Sequence, residues 1–148
     1  MGLFNKLLGG RNSDDAPFDA QEGAAGIFLL AIGSDGHISE DEIASFKVVV
    51  NRMELFQNQN DGQFSAMIDK LFRIIDRTAP QEFLPRCAQP LSTELRETVF
   101  AITADLIFAD GNVDDNERQM LEDLREVLKL SEDLALKIVE VILIKNRG

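Results

Sequence analysis

The stretch AIGSDGHISEDEIASF, residues 31–46, joins a helix-breaking Asp35-Gly36 pair to a Ser39-x-x-Glu42 helix start and then to apolar residues at helical spacing. It reads as the corner between two helices. A second stretch, ADGNVDDNERQML at 109–121, repeats the order: Asp110-Gly111, then Asp114-x-x-Glu117, then Met120 and Leu121. At an offset of 75, Ile32–Leu55 and Ile107–Leu130 share Ile32/Ile107, Asp35/Asp110, Gly36/Gly111, Glu42/Glu117 and Leu55/Leu130. Ile38/Val113, Phe46/Leu121, Val49/Leu124 and Met53/Leu128 match in apolar class, so a duplicated helix–turn–helix unit is expected.

Outward from these corners the pattern stays helical. A first helix is expected over about residues 18–33, and its Gly23-Ala24-Ala25-Gly26 segment suits close approach by a neighbouring helix. A second is expected from Glu40 to about Glu54. After the polar break FQNQNDGQ, Phe64, Met67, Ile68, Leu71, Phe72 and Ile75 mark a third. Thr78 with Gln81, and Pro80 in the first turn, predict a short fourth helix ending before Pro90. Ser92 caps a fifth over about 93–109, a sixth covers about 115–129, and Ser131 caps a seventh through about Lys145. The expected fold is all-α: a seven-helix compact domain with internal pseudo-two-fold duplication, helices three and four lying between the halves.

Composition agrees with that class. The 148 residues suit one domain, expected over 18–147, and 45% hydrophobic content is enough for a core. Ten Phe with no Trp or Tyr, and few alternating β-branched runs, disfavour a sheet. Residues 1–17 are expected to form a leader, either a short amphipathic helix carrying Leu3, Phe4, Leu7 and Leu8 or a disordered segment. No signal-peptide pattern and no apolar run of about 18 residues is present, and the single cysteine, Cys87, fits a reducing compartment. A soluble, cytoplasmic protein is expected.

A net charge of −11 repels nucleic acid and anionic lipid, so neither nucleic-acid binding nor membrane-surface association is expected. The acids fall in two blocks: nine within residues 12–55 and ten within 105–133, with residues 56–104 nearly balanced. Each block holds one Asp-Gly corner. Numbered as a 12-residue calcium loop from Ala31, Asp35, Gly36, Ile38, Ser39 and Glu42 fall at positions 5, 6, 8, 9 and 12, but positions 1 and 3 are Ala31 and Gly33. In the second stretch those two positions are Leu106 and Phe108. Each corner is therefore half of such a loop. Together they offer Asp35, Glu42, Asp110 and Glu117, with Asp114 and Asp105 as additions, to a hard divalent ion.

A purely structural reading uses the same residues. Ser39 with Glu42 and Asp114 with Glu117 are capping boxes, and the Asp-Gly pairs are turns whose glycines supply positive φ. Both readings stay open on these residues. Catalysis is not expected: His37 is a lone turn histidine, Cys87 has no partner histidine in its segment, and no phosphate loop is present.

With both corners in place, the chain resembles the TerB-like tellurite-resistance family. AIGSDGHISEDE and IFADGNVDDNE carry the resemblance, which covers roughly residues 18–146. It implies seven helices with internal two-fold symmetry, and acidic signature residues that hold a divalent metal. By motif match these are Asp35, Glu42, Asp110 and Glu117. Leu30, which aligns with Asp105, departs from the pattern and makes the half-sites unequal. The implied function is a non-enzymatic, cation-binding role in tellurite or chemical stress resistance, with protein partners of the stress-response system. Calcium, magnesium, manganese and zinc are the candidate ions. The alternative is an acidic adaptor that meets a basic protein surface and needs no metal.

Overall fold

The computed structural model describes residues 14–33, 38–109, 111 and 113–147. Among them are seven α-helices and no strand: α1 Ala20–Ile32, α2 Glu40–Arg52, α3 Asp61–Arg77, α4 Pro80–Ala88, α5 Thr93–Phe108, α6 Asp115–Leu128 and α7 Glu132–Arg147. A single 3₁₀ turn, Glu54–Phe56, follows α2. None of these helices is long and apolar enough to cross a membrane.

α1 is the axis of the fold because its sequence leaves it almost no polar face. Gly23 through Leu29, Ala31 and Ile32 are all buried, and α2, α3, α4 and α5 pack around it. A helix apolar on all sides is stable in water only when neighbours surround it. α5 in turn carries α6 and α7. The aromatic chain Phe28–Phe46–Phe64, with centroids 6.3 and 5.7 Å apart, ties α1 to α2 and α3. Burying each such side chain contributes about 1.5–3 kcal/mol.

The Gly-Ala-Ala-Gly segment does what its composition suggests. A Cβ at Gly23 would stand 2.3 Å from the Cys87 carbonyl oxygen, and one at Gly26 would stand 2.8 Å from Cys87 Sγ and 2.9 Å from Phe83 Cζ. α1 and α4 therefore meet with almost nothing between them. Cys87 is fully buried there, and burial pushes its thiol well above the usual range despite the neighbouring Arg86. Such a thiol is inert.

Helix starts differ from expectation at three places. α1 begins at Ala20, not 18, because Asp19 caps it and forms a box with Glu22. α3 begins inside the polar break, at Asp61, where Asn60 and Gln63 form another box. The Thr78–Gln81 start does not form: Thr78 closes α3 through its N–H to the Ile75 carbonyl, and Ala79 precedes Pro80 without a side-chain cap. A residue before proline is pushed out of the helical region, which fixes Ala79 as the boundary. Ser92 and Ser131 accept from Leu95 N and Leu134 N as expected.

Residues 1–13, where the expected leader helix with Leu3, Phe4, Leu7 and Leu8 falls, lie outside the described residues. Asp14 is held by arginines. Its carboxylate pairs with Arg73 at 3.2 Å and Arg77 at 2.8 Å, and Arg86 donates to the Asp14 carbonyl. The Arg73 hydrogen bond above all, reinforced by the charges of Arg73 and Arg77, holds the Asp14 carboxyl below its ordinary pKa against the opposing effect of burial. Arg86 also lies 4.1 Å over the Phe18 ring, so this strand of chain is bound to α3 and α4 before α1 begins.

Gly23→Ala tests the α1–α4 contact. At an open helical site the change would stabilise by about 1 kcal/mol. Here it drives a methyl into a backbone carbonyl, and a loss of about 3 kcal/mol is expected from urea unfolding. Gly26→Ala, which meets only side-chain atoms, should lose less.

Candidate functional site

The two acidic helix starts line one cavity because the helices that precede them are neighbours. α1 ends at Ala31 and Ile32, α5 ends at Leu106 to Phe108, and the two helices pack together. α2 then starts beside the end of α1, and α6 beside the end of α5. Phe46 and Leu121 are buried and anchor the two outgoing helices. Glu42 and Glu117 sit four residues before them, hence on the same helix faces.

The result is a cavity of about 320 Å³. Ile32, Leu106 and Ile107 supply apolar wall, while Asp41, Glu42, Ser45 and Glu117 supply oxygen. Glu42 and Glu117 are half-buried, and Asp41 and Ser45 are exposed, so the cavity opens to solvent. Glutamates 75 positions apart in sequence thus line one space.

Both capping boxes form. Ser39 Oγ accepts from Glu42 N at 3.1 Å while Glu42 Oε1 accepts from Ser39 N at 2.9 Å. Asp114 Oδ1 accepts from Glu117 N at 2.7 Å while Glu117 Oε1 accepts from Asp114 N at 3.1 Å. Each box fixes the glutamate's rotamer toward the helix start. A carboxylate has two oxygens and about four acceptor positions, so the cap bond and metal ligation are compatible. Three acids in the first turn of α2 and two in that of α6 also lie where the helix dipole favours negative charge.

The remaining candidates fall in different places. Asp114 is exposed and serves as the α6 cap. Asp105 points toward α7, its carboxylate 2.7 Å from Lys145 Nζ, and it lines grooves on the α2 and α7 sides of α5. It is not among the residues lining the Glu42–Glu117 cavity. Asp35, His37 and Asp110 lie outside the described residues. Among the described residues no three His, Cys, Asp or Glu side chains cluster as a metal group. Gly111 has φ +80°, the left-handed turn conformation expected of its Asp-Gly pair. Asp41 and Ser45 escaped the motif reading. The helical spacing 41, 42, 45 places them on the face that carries Glu42, and that signal could have found them.

The chain is thus an all-helical domain in which two capped, acidic helix starts flank one small solvent-open cavity. Residues 21–137 match the family described as Tellurite resistance protein TerB, and the chain belongs to that family. No curated protein and no solved structure gives a significant match.

The cap bonds of the two glutamates have a measurable signature. Glu42→Ala and Glu117→Ala should each lose about 0.5–1 kcal/mol with the cap bond. Glutamine keeps an acceptor oxygen, so Glu42→Gln and Glu117→Gln should unfold close to the native midpoint in ion-free urea titrations.

Proposed function

We propose that this tellurite-resistance-family domain is a non-catalytic cation binder whose Glu42 and Glu117 are shared ligands of one hard divalent ion. One observation supports the reading: two glutamates from separate helix starts line the same cavity. Asp35 and Asp110, each seven residues before one of these glutamates, are the further ligands we assign by sequence. Carboxylate and hydroxyl oxygens suit calcium, magnesium or manganese better than zinc, which prefers nitrogen and sulfur.

The ion would neutralise carboxylates that otherwise repel across the cavity, and so strengthen the contact between the α1–α2 and α5–α6 corners. The chain's part is to hold Glu42 and Glu117 in fixed rotamers through Ser39 and Asp114. The same carboxylates repel an oxyanion, so the proposed role in tellurite or chemical stress runs through a cation and its consequences, not through tellurite capture. A cytoplasmic site of action and a protein partner of the stress response belong to this proposal.

The capping boxes favour one alternative, since they satisfy both glutamates without any ion. In that reading the acidic surface of the chain meets a basic partner and the cavity is structural.

Thermal unfolding with each divalent ion against chelator separates the two. Binding stabilises by about 2.7 kcal/mol at one hundred times Kd, a shift of roughly 5–10 °C for a domain of this size. That shift should vanish in the Glu42→Gln, Glu117→Gln double variant. Absence of an ion-specific shift, or a shift unchanged in the variant, leaves the adaptor reading.

A further inference from the structure

α7 is held to the fold mainly by α5, with Glu132 4.0 Å from Arg125 of α6. It packs on α5 through Ala135 and Ile142, and Lys145 and Asn146 fasten its end to Asp105 and the Phe108 carbonyl. Its outward side is unusual for a surface helix. Leu136, Val141, Leu143 and Ile144 are 66%, 63%, 47% and 52% exposed, and with Val48 they make up the exposed large apolar residues among those described.

The outward residues are not scattered. Asp133, Leu136, Glu140, Leu143 and Arg147 follow the alternating three- and four-residue spacing of a coiled-coil seam, with Ile144 beside it. Charge is graded along the helix as well: Glu132 and Asp133 lie in the first turn, Lys145 and Arg147 in the last. A second α7 laid antiparallel across the first, with Glu140 at the crossing, brings Asp133 opposite Arg147. It sets Leu136 opposite Leu143 and Ile144. The two central glutamates would repel, but Lys137 lies one turn away on each helix and reaches across to the other chain's Glu140. A parallel pairing would put acid on acid and base on base at the two ends.

We propose that the outer face of α7 is a homodimer interface, in which two copies of this chain pair through antiparallel α7 helices about a two-fold axis near Glu140. The self-complementary order of charge and apolar residues identifies the occupant as a second copy, because a two-fold interface requires each half of the helix to match the other. Leu136, Leu143 and Ile144 remain exposed among the described residues and are buried by that pairing. The interface uses the flank of α7 that borders the cavity shared with α5 and α6, where Leu136 lies with Phe100 and Leu121.

Sedimentation analysis of the full chain over a wide concentration range is the test. The native protein should dimerise with concentration, and Leu136→Glu with Ile144→Glu should be monomeric at every concentration while keeping native helix content and a cooperative thermal transition. Asp133→Arg alone and Arg147→Asp alone should each dimerise at least about tenfold more weakly. Mixed together, those two single variants should form a heterodimer, because each then meets its opposite charge at both ends. A native chain that stays monomeric overturns the proposal, including one whose apolar face binds lipid vesicles instead. So does a dimer that survives Leu136→Glu with Ile144→Glu, and so does a mixture of the charge variants that fails to pair.

Discussion

The contact on which the rest of the structure depends is the near-absence of side chains between α1 and α4. Gly23 lets the backbone of α1 meet the Cys87 carbonyl, and Gly26 makes room for the Cys87 thiol and the Phe83 ring. Once α1 is seated this deeply, its opposite faces can be covered by α2, α3 and α5 at the same time. Glycine lowers helix propensity by about 1 kcal/mol at each position, a cost that the buried phenylalanines and leucines around α1 exceed several-fold. The site inherits its geometry from this arrangement, because the ends of α1 and α5 deliver the two acidic helix starts to one cavity.

Capping and the proposed ligation would draw on one geometry. A capping box folds the N3 glutamate back toward the helix start, where backbone N–H groups and the positive end of the helix dipole already favour negative charge. Two such starts set beside each other concentrate carboxylates at fixed positions without asking any of them to be buried and unpaired. The cap holds each glutamate in the absence of an ion, which would preorganise the proposed site.

Most of the fold was legible in the sequence because this chain marks its helix starts with side chains. Ser92, Ser131 and the Ser39 and Asp114 boxes placed four of the seven starts, Pro80 marked the first turn of α4, and the other two came within a few residues. Thr78 was misleading because Pro80 and the residue before it set the boundary by sterics, which outweighs a weak cap. The end of α6 falls where expected, with Lys129, not a glycine, taking the left-handed C-cap at φ 61°. At the site, matching offsets singled out Glu42 and Glu117, whereas the surroundings of Asp105 depend on Lys145, 40 residues away and invisible to local pattern. Asp14 was hidden in the same way, since Arg73 and Arg77 reach it from another helix.

Shared ligation is the central claim, and titration calorimetry addresses it most directly by counting ions. With calcium, magnesium or manganese, the native chain should bind one ion, and Glu42→Gln alone or Glu117→Gln alone should each abolish that binding, since either removes a ligand of the same site. Two ions per chain, with each single change removing only one, would contradict the account by showing two independent corners.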